Sequence, residues 1–251
     1  MTDDLSRRAI VDVVALHPTD AERAEEGGAD RVHACSFEDG QARSIEPRAA
    51  SSIVRATTLP VRVTLRLSPG LTTQGGEFTR LQGLVTNYLS VGVEGFTFGF
   101  LTADLDVDVD VCSTLANALM GSPWTFDRAF DSALETQRAW RAVRDLPGLD
   151  SVQTSGAALG MHVGLDELLD LAAREPGFAV VAEASDGVEP EHVPWLVGAG
   201  VTKVHLGAEV RPGGSWSKSY VDPAFVRSWR LLLDAAVSRQ ASRSDGTAEA
   251  T

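Results

Sequence analysis

The sequence predicts a single-domain (β/α)8 barrel, and three observations carry that prediction. Short β-rich runs alternate eight times with longer amphipathic ones between residues 9 and 239, the pattern of βα units around a parallel sheet. The segments GGADRV, VGVEGF, PGLDSV and GAGVTKV each set a glycine after a helical pattern and just before a strand, where a helix C′ position favours φ > 0. No GxGxxG follows the first strand, so the usual fingerprint of an open doubly wound sheet is missing.

In chain order, AIVDVVA (9–15) leads into a helical pattern at 18–27, and DRVHAC (30–35) into one at 47–57. VRVTLR (61–66) is followed by 76–91, GFTFGF (95–100) by 109–121, and WTFD (124–127) by 132–145. DSVQTS (150–155) precedes 164–174, FAVVAE (178–183) precedes 189–198, and TKVHLG (202–207) precedes 223–239. Residues 1–8 read as an N-terminal extension. Residues 240–251, QASRSDGTAEAT, are small and polar and read as a flexible tail.

The net charge of −13, from 35 acids against 22 bases, opposes any broad grip on nucleic acid or anionic membrane. Cys35 and Cys112 are the only thiols, without a CxxC or a Cys/His cluster, so neither a disulfide framework nor a structural zinc site is encoded and the metal-free chain is expected to fold. The start MTDDLSRRAI has no apolar leader core, and nowhere do 18 uncharged apolar residues run together. A cytoplasmic protein is expected, neither secreted nor membrane-spanning.

Active sites of such barrels lie at the C-terminal ends of the strands. Those ends offer Asp12, His33 with Cys35, Arg66, Asp127 with Arg128, Gln153 with Ser155, Glu183 and His205. Period-2 alternation places Asp12 with Val14, Thr64 with Arg66, Thr125 with Asp127, Val181 with Glu183, and Lys203 with His205 on one face each. If that face is the interior, seven of the eight strands deliver a polar group to one mouth. Asp127, His33, Glu183, His205 and Asp12 are the candidate acids and bases, and Arg66 and Arg128 are placed to hold a small anion bidentately.

The stretch TFDRAFD (125–131) sends two acids and a guanidinium to one strand end. Buried charges need partners, so Asp127 is expected within hydrogen-bond or one-water reach of His33, with Arg66 adjacent. Arg128 has the opposite parity and reaches the mouth only if the strand breaks at Asp127. Asp131 is expected to cap a helix starting through Ser132 to Glu135. The loops ASDGV (184–188) and LGAEV (206–210) lie where barrels hold phosphate on backbone N–H groups, which makes Gly187, Gly207 and Ala208 candidates for ligand binding. Tight turns explain the same glycines. RPGGSWSKSY (211–220) reads as a lid with glycine hinges or as a plain loop.

GGADRV followed by Cys35, LPVRVTLR with GGEF (75–78), TFDRAFD, QTSG (153–156) and VHLGA (204–208) together resemble the CutC family over roughly residues 9–237. This family has long been labelled copper homeostasis proteins and consists of (β/α)8 barrels. The resemblance implies functional interest in Asp12, Arg66, Arg128, Asp131, Thr154, Ser155, Gly156 and His205. Two positions depart from the family pattern, which has His where this chain has Asp127 and Glu where it has His33. An acid and an imidazole have exchanged strands. Copper is implied by the resemblance alone. Soft thiolates favour Cu(I), and the family's cysteine on strand one is Val14 here, which leaves Cys35 with His33 and His205 as the nearest donors. The resemblance also implies a homodimer, with Trp216, Tyr220 and Trp229 as candidate interface aromatics. Two functions follow as expectations: a CutC-like protein associated with copper homeostasis, or an enzyme using acid-base chemistry on a small anionic, phosphorylated or carboxylated substrate without bound copper.

Overall fold

A computed structural model describes residues 9–38, 40–216 and 218–248. Eight parallel strands close into a barrel: β1 (Ile10–Ala15), β2 (Arg31–Ala34), β5 (Val61–Thr64), β6 (Gly95–Phe98), β7 (Trp124–Phe126), β8 (Leu149–Thr154), β9 (Ala182–Ala184) and β10 (Lys203–Leu206). β1 closes the ring by pairing with both β2 and β10, with Asp12 opposite Arg31 on one side and His205 on the other. The two strands β3 (Ser36–Glu38) and β4 (Gln41–Arg43) form an antiparallel hairpin in the second βα loop.

Each strand's alternation sorts its residues onto two faces. Val11, Val13, Val32, Val63, Phe96, Phe98, Trp124, Phe126, Val152, Val204 and Leu206 face outward and are buried under the helices. The inward face is polar. It carries Asp12, Arg31, His33, Arg62, Thr64, Thr97, Thr125, Ser151, Gln153 and Glu183, all buried. Layers of Val, Ile and Leu usually fill this space.

The shell consists of α1 (Pro18–Gly27), α2 (Pro47–Val54), α3 (Gly75–Ser90), α4 (Val109–Ala118), α5 (Thr136–Val143), α6 (Met161–Arg174), α7 (Phe178–Val181), α8 (Val193–Gly198) and α9 (Pro223–Ala248). Proline at the first turn starts α1 and α2, where a missing N–H costs nothing. Among the described residues no helix is long and apolar enough to cross a membrane.

Four expectations change. FAVVAE is not one strand: residues 178–181 form α7 and only Ala182–Ala184 join the sheet. Phe178 is the reason, because it packs between Phe130 and Trp140 at ring-centroid distances of 5.6 and 5.3 Å, and this packing outweighs the β propensity of the run. Residues 240–248 of the predicted tail continue α9 as helix, and residues 249–251 lie outside the described residues. Trp229 is core rather than interface. Trp216 lies over the barrel mouth, so of the three proposed interface aromatics Tyr220 alone turns substantially outward, at 48% exposure. Residues 1–8 lie outside the described residues.

Candidate functional site

The C-terminal ends of the strands enclose a cavity of about 340 Å³, within the size range of small-molecule sites. Phe37 of β3 and Trp216 roof it, stacked at 4.3 Å between ring centroids. Trp216 reaches over the mouth, and Arg211, five residues before it, is anchored in the interior. Its guanidinium pairs with buried Asp20 and donates to Val14 O at 3.1 Å. Gly207 faces the same roof. A Cβ there would come within 2.2 Å of the Trp216 ring, so the close packing of Trp216 on this backbone requires glycine.

His33 and His205 meet at the bottom of the cavity. His33 Nδ1 lies 2.8 Å from His205 Nε2, and His33 Nε2 lies 2.8 Å from Thr64 Oγ1. Burial, reinforced by the neighbouring His205, pushes the His33 pKa down to about 3, so the ring is neutral. A neutral imidazole donates from one nitrogen and accepts at the other. Thr64, His33 and His205 therefore form a chain along which a proton can pass.

Beneath the imidazoles, Arg31 donates to Asp12 Oδ2 from Nε (2.9 Å) and Nη2 (2.8 Å), and to Glu183 Oε1 at 2.7 Å. Burial alone would raise the Asp12 carboxyl, but Arg31, His205 and His33 outweigh it and hold Asp12 well below the usual carboxylate range. Glu183 shifts upward, because burial and Asp12 exceed the pull of Arg31. Asp12 and Glu183 were expected as acids or bases in the mouth. They lie under its floor instead, 1% and 0% exposed, and support the histidines from below. Arg31, which the sequence reading missed, is the cation that lets both acids be buried. Its signal in the sequence was parity, since Arg31 lies two residues before His33 and shares its strand face. Arg62 is a second omission, bonded to Asp150 and Thr125 at the other end of the barrel.

Asp127 and Arg66 pair at 2.6 Å, as expected. The hydrogen bonds of His33 go to Thr64 and His205 rather than to Asp127, which spends its other oxygen on Ala129 N at 2.9 Å. Asp127 is thus the cap of the 3-10 turn Arg128–Ser132, and the strand does break there, turning Arg128 to the mouth. Neither guanidinium is free to clamp an anion. Arg66 holds Gly70 O, Gly99 O and Asp127, while Arg128 holds Asp131, Asp186, Ser155 Oγ and the carbonyls of Ala157 and Ala158. With Asp127, Asp186 and Glu209 also lining the cavity, carboxylates outnumber guanidiniums.

Asp131 does not cap α5, which begins at Thr136. It is buried and accepts from Thr154 Oγ1 (2.5 Å), Ser155 N (2.9 Å), Ser155 Oγ (2.9 Å) and Arg128 Nε (3.2 Å). Burial pushes its carboxyl upward against these bonds. Gly156 completes this lock at φ +79°, where a Cβ would lie 1.9 Å from Gly164 O of α6. Ser155 and Gly156 are therefore scaffold and do not line the cavity. The TFDRAFD and QTSG segments belong together because Asp131 binds the backbone and hydroxyls of the second.

Gln153 and Ser185 do line the cavity, and their Nε2 and Oγ atoms are buried without a hydrogen-bond partner among the described residues. Ala208 lines it as well. The expected phosphate cradle already holds a carboxylate: Gly187 N donates to Glu209 Oε1 at 3.1 Å and Gly207 N to Glu209 Oε2 at 2.7 Å.

Residues 9–210 match the model of the CutC family. A family protein CutC of Klebsiella pneumoniae (strain 342) is 29% identical over 214 residues, covering 84% of this chain and 83% of the relative. One of Vibrio vulnificus (strain CMCP6) is 33% identical over 196 residues, 75% of this chain and 77% of the relative. CutC of Streptococcus agalactiae, whose name links it to copper homeostasis, superposes with a TM-score of 0.70 at 16% identity, covering 80% of this chain and 98% of that one. Thiamine phosphate pyrophosphorylase of Pyrococcus furiosus superposes at 0.58 and 14% identity, over 92% and 98%, and shares the barrel fold.

The donors near the mouth do not fit a copper ion. Both ring nitrogens of His33 are engaged, and burial pushes the Cys35 thiol up to about 12, which keeps it protonated. Among the described residues no three His, Cys, Asp or Glu side chains are grouped to hold a metal.

Proposed function

The chain belongs to the CutC family, and from that premise we propose that its mouth binds a small polar molecule and moves a proton on it. His205, half-buried in the cavity, exchanges the proton with the ligand, and His33 and Thr64 relay it. The observation that carries the reading is this chain of three side chains resting on the buried Asp12–Arg31–Glu183 cluster. A buried ionic cluster is a weak source of stability compared with apolar packing, so its place in the barrel centre is better explained by what it does to the imidazoles above. The Asp12 carboxylate partly offsets the burial that pushes the His33 pKa down. Gln153 Nε2 and Ser185 Oγ are the unmet groups that would orient the ligand.

The copper homeostasis in the name of the S. agalactiae neighbour would, for this chain, run through that molecule rather than through an ion on Cys35, His33 and His205. The test is a thermal-shift screen of small polar metabolites, followed by incubation of each hit with the protein in D2O and mass spectrometry for deuterium gained at carbon. Exchange by the native protein, lost in His205→Asn with binding retained, supports the proposal. Exchange at an unchanged rate in His205→Asn refutes it.

A further inference from the structure

We propose that Glu209 is a built-in occupant of an oxyanion seat formed by the Gly187 and Gly207 N–H groups, so that the mouth takes ligands without a phosphate group. The seat lies in the loops after the seventh and eighth barrel strands, β9 and β10, where (β/α)8 barrels commonly bind phosphate on backbone amides. Two N–H groups from different loops converge on one carboxylate, each on its own oxygen, at 3.1 and 2.7 Å. Gly207, Ala208 and Glu209 line the cavity, so that side of the seat opens onto the ligand space, while the Gly187 N–H meets Glu209 at the solvent-exposed rim.

The surroundings reinforce the exclusion. Arg128, the guanidinium on that side, already binds Asp131 and Asp186, and Arg66 binds Asp127. An entering phosphate would therefore have to displace a tethered carboxylate that is always present. It would also meet Asp186 and Glu209 without a free guanidinium in compensation. A tethered competitor has the high effective concentration of any intramolecular group. Glu209 thus acts as a specificity residue: the site keeps the phosphate geometry of the barrel and fills it from within.

This inference rests on the reading of the mouth as a ligand pocket, and the two fail separately, because phosphate binding needs no His205 and deuterium exchange needs no phosphate. The probe is inorganic phosphate titrated at constant ionic strength into 15N-labelled native protein, Glu209→Ala and Glu209→Gln, with chloride as control. The Gly187 and Gly207 amide resonances are followed. The native amides should stay in place. In Glu209→Ala both should move saturably, with affinity at least about tenfold above the native protein, as expected when two N–H groups gain an anionic acceptor. Glu209→Gln should fall between, because a carboxamide has one acceptor oxygen for the two N–H groups. Equal phosphate response in native protein and variants would overturn the proposal. So would immobile glycine amides in either variant while the rest of its spectrum remains native, since Glu209 would then be a loop brace only.

Discussion

Replacing Asp131 with Ala separates a helix cap from a lock between two loops. A cap truncation costs about 1 kcal/mol. The observed bonds predict more. Ser155 Oγ keeps a partner in Ala157 O at 2.7 Å, and Thr154 Oγ1 still accepts from Gly156 N at 2.9 Å. The buried Ser155 N–H, however, loses its Asp131 acceptor, and an unmet buried donor costs about 1–3 kcal/mol. The Thr154 and Ser155 hydroxyls each lose a charged acceptor, worth about 1 kcal/mol apiece once their remaining partners are considered. Arg128 is one third exposed and keeps Asp186, so its share is about 0–1 kcal/mol. The total is about 3–6 kcal/mol, or a fall in Tm of roughly 10 °C or more for a chain of this size. Urea unfolding followed by circular dichroism, with the m-value unchanged, measures it. A double-mutant cycle with Ser155→Ala should show coupling above about 1 kcal/mol. A loss of about 1 kcal/mol, additive with Ser155→Ala, would refute the lock and restore the cap.

His33 should make stability depend on pH. Its pKa is about 3 when folded against about 6.5 in an unfolded chain, so the unfolded state binds the proton first. Stability should fall by about 1.4 kcal/mol per pH unit as pH drops from about 6.5 towards 3, and denaturation of His33→Gln across that window should lack this slope. Gly207→Ala should displace Trp216 from its stack on Phe37, because its Cβ would stand 2.2 Å from the indole; a red-shifted tryptophan emission with little change in unfolding free energy is the expected result. Arg31→Leu should destabilise by about 3–5 kcal/mol, since it leaves Asp12 and Glu183 buried together without their cation, and Asp12→Asn added to it should recover part of the loss in urea unfolding.

Much of the site was legible because alternation is local. The parity of Asp12, His33, Arg66, Asp127, Gln153 and His205 follows from the two-residue repeat of a strand, and all six do point inward. Height along the barrel was not legible. Asp12 and His33 lie two steps apart in effective depth because neighbouring strands are staggered around a closed barrel, so one ends beneath the floor and the other at it. The helical turn at Phe178 was missed because the contact that decides it, with Phe130 and Trp140, joins residues distant in sequence.

By itself, then, the sequence determined the eight-unit barrel, the polar character of its interior and the motifs that mark the family, since each depends on residue type and spacing within one unit. Only the tertiary structure decided which charges pair. His33 turned to His205 rather than to Asp127, Asp131 went to Thr154 and Ser155 rather than to a helix end, and Glu209 took the amides expected to hold a phosphate. Each of these choices is a competition among several partners of similar chemistry, and in a closed barrel strand stagger and loop geometry bring one of them within hydrogen-bond distance.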